Sequence, residues 1–236
     1  MYARFGLGCC RGWVRQLLHQ LGFRLRRLRH RHLKAMPEEQ AAFRTESEAV
    51  LGGWPEDWEL ISADEATVRR HPTLAAQWRL VDDVPEVPTG DDHTKMQVHG
   101  AVAPLTGRTH YHVSPTLGKG AFAQFLQHLL AYDPRKHLLV VHGQGEQHKG
   151  APVEAIVQKA GGRLGLKPQP AYSPELNPQE RIWKWLRHVV THHHWFTTLS
   201  EPIEAVRNFF RYLAGVKDQG RHLCGLKTPK SFVVSL

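Results

Sequence analysis

The order in which two hydrophobic periodicities alternate limits this chain more than any other feature. "WELISADEATV" reads as a strand ending near Asp64. "KMQVHGAVAPLTGRTHYHVSPT" reads as a hairpin: a strand to Ala103, the turn "PLTG", and a second strand from Arg108. "GAFAQFLQHLLAY" repeats its apolar residues at helical spacing, and "HLLVVHG" is a short apolar strand. "APVEAIVQKAGG" predicts a helix with a glycine stop. "LKPQPAYSPELN" predicts a short extended piece and a loop. "PQERIWKWLRHVV" and "EPIEAVRNFFRYLAG" predict two more helices. Strand, hairpin, helix, strand, helix, short strand, helix is an α/β order with a mixed sheet flanked by helices.

The segment before Trp58 has another texture. Residues 11–21 place Trp13, Leu17, Leu18 and Leu21 on one helical face, with Gly22 as the stop. A basic connector, "FRLRRLRHRHLK", follows. Pro37 then opens a second helical pattern, "PEEQAAFRTESEAVL", closed by Gly52 and Gly53. The expected organisation is a basic helical arm over residues 1–36, a linker helix over 37–53 and a globular domain over 54–236.

Charge sharpens this division. The chain carries 31 Lys and Arg against 22 Asp and Glu. Residues 1–34 hold nine of the basic residues and no acid: Arg4, Arg11, Arg15, Arg24, Arg26, Arg27, Arg29, Arg31 and Lys34. The rest of the chain is balanced, so the whole excess sits in the arm. Localised arginine of this density suits a polyanion, because the guanidinium forks onto phosphate. A solvated basic helix is the plainer alternative. No apolar run approaches the ~18 residues of a membrane span. Three cysteines (Cys9, Cys10 and Cys224) form neither a disulfide framework nor a metal spacing. A reducing compartment is therefore expected.

Few residues stand out for chemistry. Asp64 sits at the predicted end of the first strand, and by itself reads as a turn aspartate beside a second solvated acid, Glu65. Glu180 follows Asn177 and Pro178 at the start of a helix. A capping box, with Glu180 reaching back to the cap amide, explains it as well as a role in cation binding does. His142, Glu146 and His148 cluster after the apolar strand, where His148 and Lys149 could meet a phosphate or simply form a polar loop. His192, His193 and His194 are adjacent and splay around a helix axis, so a helix-end cluster is expected rather than a metal site. Trp183, Trp185, Phe209 and Phe210 fall on helical patterns and are expected in the core.

Three separated segments resemble the motifs of bacterial insertion-sequence transposases related to the mariner group. "SADEATVRRHPTLAAQW" resembles the first motif, an aspartate-glutamate pair followed by "PTL" and a tryptophan. "LLVVHGQGEQHKG" resembles the second, in which an apolar strand delivers an aspartate with a histidine five positions on. "AYSPELNPQERIWKWLR" resembles the third, "PYSPELNPIExxWxxLK". The likeness runs from about Leu7 to Leu226. Its N-terminal part resembles only the end of the family's helix-turn-helix region and its basic linker, a short helical DNA-binding remnant.

The resemblance implies a ribonuclease-H-like fold and three acids (aspartate, aspartate and glutamate) that hold two Mg2+ or Mn2+ ions for phosphoryl transfer. By position the first acid is Asp64 and the last is Glu180. Counting back five from His148, the second acid should be at residue 143, and Gly143 stands there. Glycine offers no ligand atom, so weakened cation binding and severely reduced catalysis are expected. The implied partners are double-stranded DNA, as inverted terminal repeats and as target, and a second copy of the chain. No membrane and no small-molecule substrate is expected. The implied location is the bacterial cytoplasm, on the nucleoid. DNA contacts are expected from Arg11, Arg15, Arg24, Arg26, Arg27, Arg29, Arg31, Lys34, His148 and Lys149. The alternative is a non-catalytic DNA-binding protein derived from a transposase. A ribonuclease-H-like nuclease unrelated to transposition fits the "SPELNPQERIW" segment poorly.

Overall fold

A computed structural model describes residues 10–25, 32–51, 53–78, 80, 82–83, 85–91 and 94–225. The chain divides into two compact units, Met1–Leu33 and Lys34–Leu236. In the first, α1 (Arg11–Gln20) starts where the Cys10 thiol accepts from the Trp13 amide. It ends as expected at Gly22, whose φ of +84° is the left-handed turn that a side chain disfavours. The Arg24 guanidinium folds back on this end and donates to the carbonyls of His19 (3.0 Å) and Phe23 (2.9 Å). Gly52 and half of the basic connector, residues 26–31, lie outside the described residues.

The second unit opens with α2 (Pro37–Leu51). Then come β1 (Trp58–Arg69), β2 (Lys95–Val102), β3 (Thr109–Ser114), α3 (Lys119–Tyr132), β4 (His137–His142), α4 (Ala151–Lys159) and β5 (Leu164–Pro168). The helices α5 (Gln179–Leu186), α6 (Ser200–Gly215) and α7 (Lys217–Leu223) follow. Between α5 and α6, Arg187–Thr191 forms a π-helical turn. The sheet order is β3-β2-β1-β4-β5. The β1–β2 and β2–β3 pairs are antiparallel, and the β1–β4 and β4–β5 pairs are parallel. This is the mixed, ribonuclease-H-like arrangement that the resemblance implied.

One strand differs from expectation. β1 does not end near Asp64 but continues to Arg69, because β2 pairs with it from Ser62↔Val102 to Arg69↔Lys95. Its parallel pairing with β4 stops earlier, at Ser62↔Val141. Beyond that point β1 has β2 on one side only. Asp64 and Gly143 each lie two residues past the last pair, where β1 and β4 part. Ligand sites in parallel sheets open at such strand ends.

Alternation along β1 separates two cores. Ile61 and Ala63 face Phe122, Phe125, Leu126 and Leu129 of α3, and Val153 and Ile156 of α4. Ala66 and Val68 face Ile182, Trp183 and Leu186 of α5, and Val206, Phe209, Phe210 and Leu213 of α6. Trp183, Phe209 and Phe210 are buried and Trp185 packs against them, so these aromatics are core residues as predicted. The two faces are set by period-two geometry, which sends Asp64 to the α5 side and Glu65 to the α3 side.

Candidate active site

Asp64 leaves β1 toward α5, where the Trp183 indole N–H donates to its carboxylate (3.1 Å). Trp183 can reach that far because its ring crosses the sheet over Gly100, the β2 partner of Asp64. A Cβ on Gly100 would collide with the indole ring and with the Gln179 amide. α5 is brought to this place by Asn177. Its side-chain amide donates to the Ala63 carbonyl (3.0 Å), one residue before Asp64, while its Oδ1 accepts from the Gln179 amide (3.0 Å). One buried asparagine thus caps α5 and ties its first turn to the end of the parallel part of β1.

Of the capping box expected here, only the Asn177 half forms. Glu180 lines a cavity instead, of about 450 Å³, shared with Asp64, Gly143, Gln144, Tyr172 and Asn177. The three positions singled out from sequence therefore face one space. Burial, the nearby Glu180 carboxylate and then Glu65 push the Asp64 carboxyl up to about 7.

Gly143 needs no glycine-specific backbone, since its φ is not in the left-handed range. A Cβ there would meet only the His148 ring carbon Cε1, at 3.7 Å. The position has room for a side chain beside the cavity, and in this chain it carries none.

Glu65 is not the solvated acid expected from sequence. Its side chain is 8% exposed and accepts from His148 Nε2 at 2.9 Å. Gln147 donates to its other oxygen (3.3 Å), and His99 Nδ1 lies 3.4 Å away, close enough to act as an electrostatic neighbour. Burial alone would raise this carboxyl. The His148 hydrogen bond and the His99 interaction outweigh burial and bring it down to about 2. His148 also faces the Gly143 carbonyl through Nδ1 (2.7 Å). A carboxylate and a carbonyl thus face the two nitrogens of one ring. It ties the end of β4 to β1.

His148 is therefore turned inward and presents no ring nitrogen to a phosphate. The sequence reading placed it in the DNA contact set because a buried carboxylate partner 83 residues away leaves no local mark. Lys149 is exposed, and its ammonium lies 3.7 Å from Glu146, which is more exposed still. Glu146 does not line the cavity. His142 is buried and held to the Gly143 carbonyl (2.6 Å). The His192–His194 tract is a helix-end cluster, as expected. His192 Nδ1 meets the Thr73 hydroxyl (2.7 Å), and the Thr73 amide donates to the Thr191 carbonyl (2.9 Å), which pins the segment after β1. Arg11, Arg15 and Arg24 are exposed, as is Lys34. Arg26, Arg27, Arg29 and Arg31 lie outside the described residues.

A ribonuclease-H-like sheet with carboxylates converging at the fork of β1 and β4 defines the class: polynucleotidyl-transferase and nuclease folds that use clustered acids. Sequence comparison then narrows it. The family described as DDE superfamily endonuclease matches residues 59–201, and a winged helix-turn-helix family matches residues 1–47. The chain belongs to the DDE superfamily of endonucleases. A protein of Shigella sonnei, "Insertion element IS630 uncharacterized 39 kDa protein", is 25% identical over 147 residues, covering 62% of this chain and 43% of that protein. The chain therefore spans less than half the length of this relative. Among solved structures, the mariner Mos1 paired-end complex with Mg has a TM-score of 0.62 at 14% identity, covering 91% of this chain and 68% of that one. The catalytic domain of Mos1 mariner transposase has a TM-score of 0.53 at 10% identity, covering 85% and 98%. These two likenesses concern the fold.

The residues present do not fit a two-cation centre. Among the described residues no group of three or more His, Cys, Asp or Glu side chains is placed to hold a metal. Asp64 and Glu180 supply two carboxylates where bridging two dications calls for more. No helix among the described residues is long and apolar enough to cross a membrane.

Proposed function

We propose that this chain is a DNA transposase of the DDE type by descent, built to act on transposon ends, with catalysis impaired at one position. The observation that carries this reading is the shared cavity. Asp64 and Glu180 line it together with Gly143, at the place where the family pattern has its second aspartate. The proposed partners are double-stranded DNA ends and target DNA, by analogy with Mos1 in its paired-end and strand-transfer complexes. Exposed Arg11, Arg15, Arg24, Lys34 and Lys149, with Arg26, Arg27, Arg29 and Arg31, are the proposed phosphate contacts. A homodimer is proposed as the acting unit. Asp64 and Glu180 are the proposed acids, and any Mg2+ or Mn2+ they bind is held weakly.

Gly143 also favours a second reading, a protein that binds transposon ends without cutting them. Divalent-dependent nicking of a DNA carrying the element's ends tests the site, and residual parent activity lost in Glu180→Ala would exclude the second reading. In the parent chain nicking is expected to be at or below the detection limit, and Gly143→Asp is expected to raise it. The rise should vanish in Gly143→Asp/Glu180→Ala. Strong nicking by the parent chain, or none after Gly143→Asp, counts against the assignment of the site.

A further inference from the structure

The third motif holds an aromatic residue in a backbone conformation that its type disfavours. Tyr172 has φ +55°, in the left-handed region where a bulky aromatic is an outlier. Its neighbours hold it there. Ser173 is buried, donates to the Ala171 carbonyl (3.0 Å) and accepts from Gln40 of α2 (2.8 Å), and Pro170 and Pro174 bracket the turn. A glycine would adopt this backbone without strain. The chain instead places a phenol ring there, 47% exposed, on the wall of the cavity that Asp64 and Glu180 share. A strained backbone that presents an aromatic at the lip of a cleft is a feature that functional sites retain at a cost to stability.

The geometry points to Tyr172 as a stacking platform for an unpaired nucleobase at the mouth of this cavity. This inference rests on the reading of the cavity as a polynucleotide site. The acidic wall repels a sugar-phosphate backbone, whereas the ring offers a flat face that matches the face of a base. In a duplex those faces are covered by neighbouring base pairs, so only a frayed, flipped or single-stranded base can use it. Tyr172 thus holds a nucleotide beside the acids rather than binding duplex DNA in general.

The test uses the full chain and a single-stranded oligonucleotide carrying 2-aminopurine, whose fluorescence is quenched by stacking. Tyr172→Gly is expected to raise the melting temperature by relieving the backbone. It is also expected to weaken single-strand binding about tenfold and to remove the quenching. Tyr172→Phe is expected to keep both within about twofold, since the ring is what stacks. Affinity for the fully paired duplex is expected to be the same in all three. A parent chain that binds the single strand no better than Tyr172→Gly does, or with no quenching, overturns the platform. Failure of the parent chain to bind any DNA overturns the polynucleotide reading itself and the platform with it.

Discussion

Asp64 is a carboxylate held against its own preference. Burial and the neighbouring acids raise its folded value to about 7 from an ordinary 3.8. Between about pH 4 and 7 the folded chain keeps a proton that the unfolded chain has released. Stability therefore falls as pH rises across that window, and the penalty is complete above pH 7. Asp64→Asn removes the charge and keeps an oxygen for the Trp183 N–H. It is expected to stabilise the protein by about 2 kcal/mol at pH 8 and by almost nothing below pH 4, checked by urea denaturation at the two pH values. A stabilising substitution at a buried acid is the mark of a position kept for function. Glu65, its neighbour, shows the opposite arrangement: on the other face of the sheet the His148 hydrogen bond and the nearby His99 ring outweigh its burial and lower it.

Whole elements were largely legible in the sequence, and their junctions were not. The hairpin, the apolar β4 and the helices from α3 to α6 follow from periodicity. β1 runs past its expected end because the charged residues of "DEATVR" hide a strand that β2 pairs along its full length. α7 (Lys217–Leu223) is short and polar and leaves no periodic trace. Asn177 reads as a helix cap in sequence, but its second bond to the Ala63 carbonyl, which brings Glu180 to Asp64, spans 114 residues and has no local signature. Two glycines on either side of β1, Gly100 in β2 and Gly143 just past β4, illustrate the same limit, since nothing in the sequence says which one is required. Gly100→Ala is expected to cost about 1–3 kcal/mol, because its Cβ would overlap the Trp183 ring. Gly143→Ala is expected to change stability by less than about 0.5 kcal/mol, because that Cβ would make only an ordinary van der Waals contact with the His148 ring. Urea denaturation of the two variants side by side checks the contrast.

At the scale of the whole molecule, the charges divide between two units of unequal size. Eight of the nine basic residues in excess lie in the N-terminal unit, and Asp64 and Glu180 lie at one sheet fork in the larger unit. The α/β order predicted the class of fold, and the long "SPELNPQERIW" match singled out Glu180 as the proposed last acid. What sequence could not supply was whether the three positions meet. They do, around a cavity in which only two of them bear carboxylates. The most direct measurement of that arrangement is a Mn2+ titration followed by electron paramagnetic resonance at pH 8, where Asp64 is ionised. Gly143→Asp is expected to bind Mn2+ at least about tenfold more tightly than the parent chain, and Glu180→Ala in that background is expected to abolish the gain. Equal affinity in the parent and Gly143→Asp, or a gain that survives Glu180→Ala, would contradict the convergence of Asp64, residue 143 and Glu180 on one cation site.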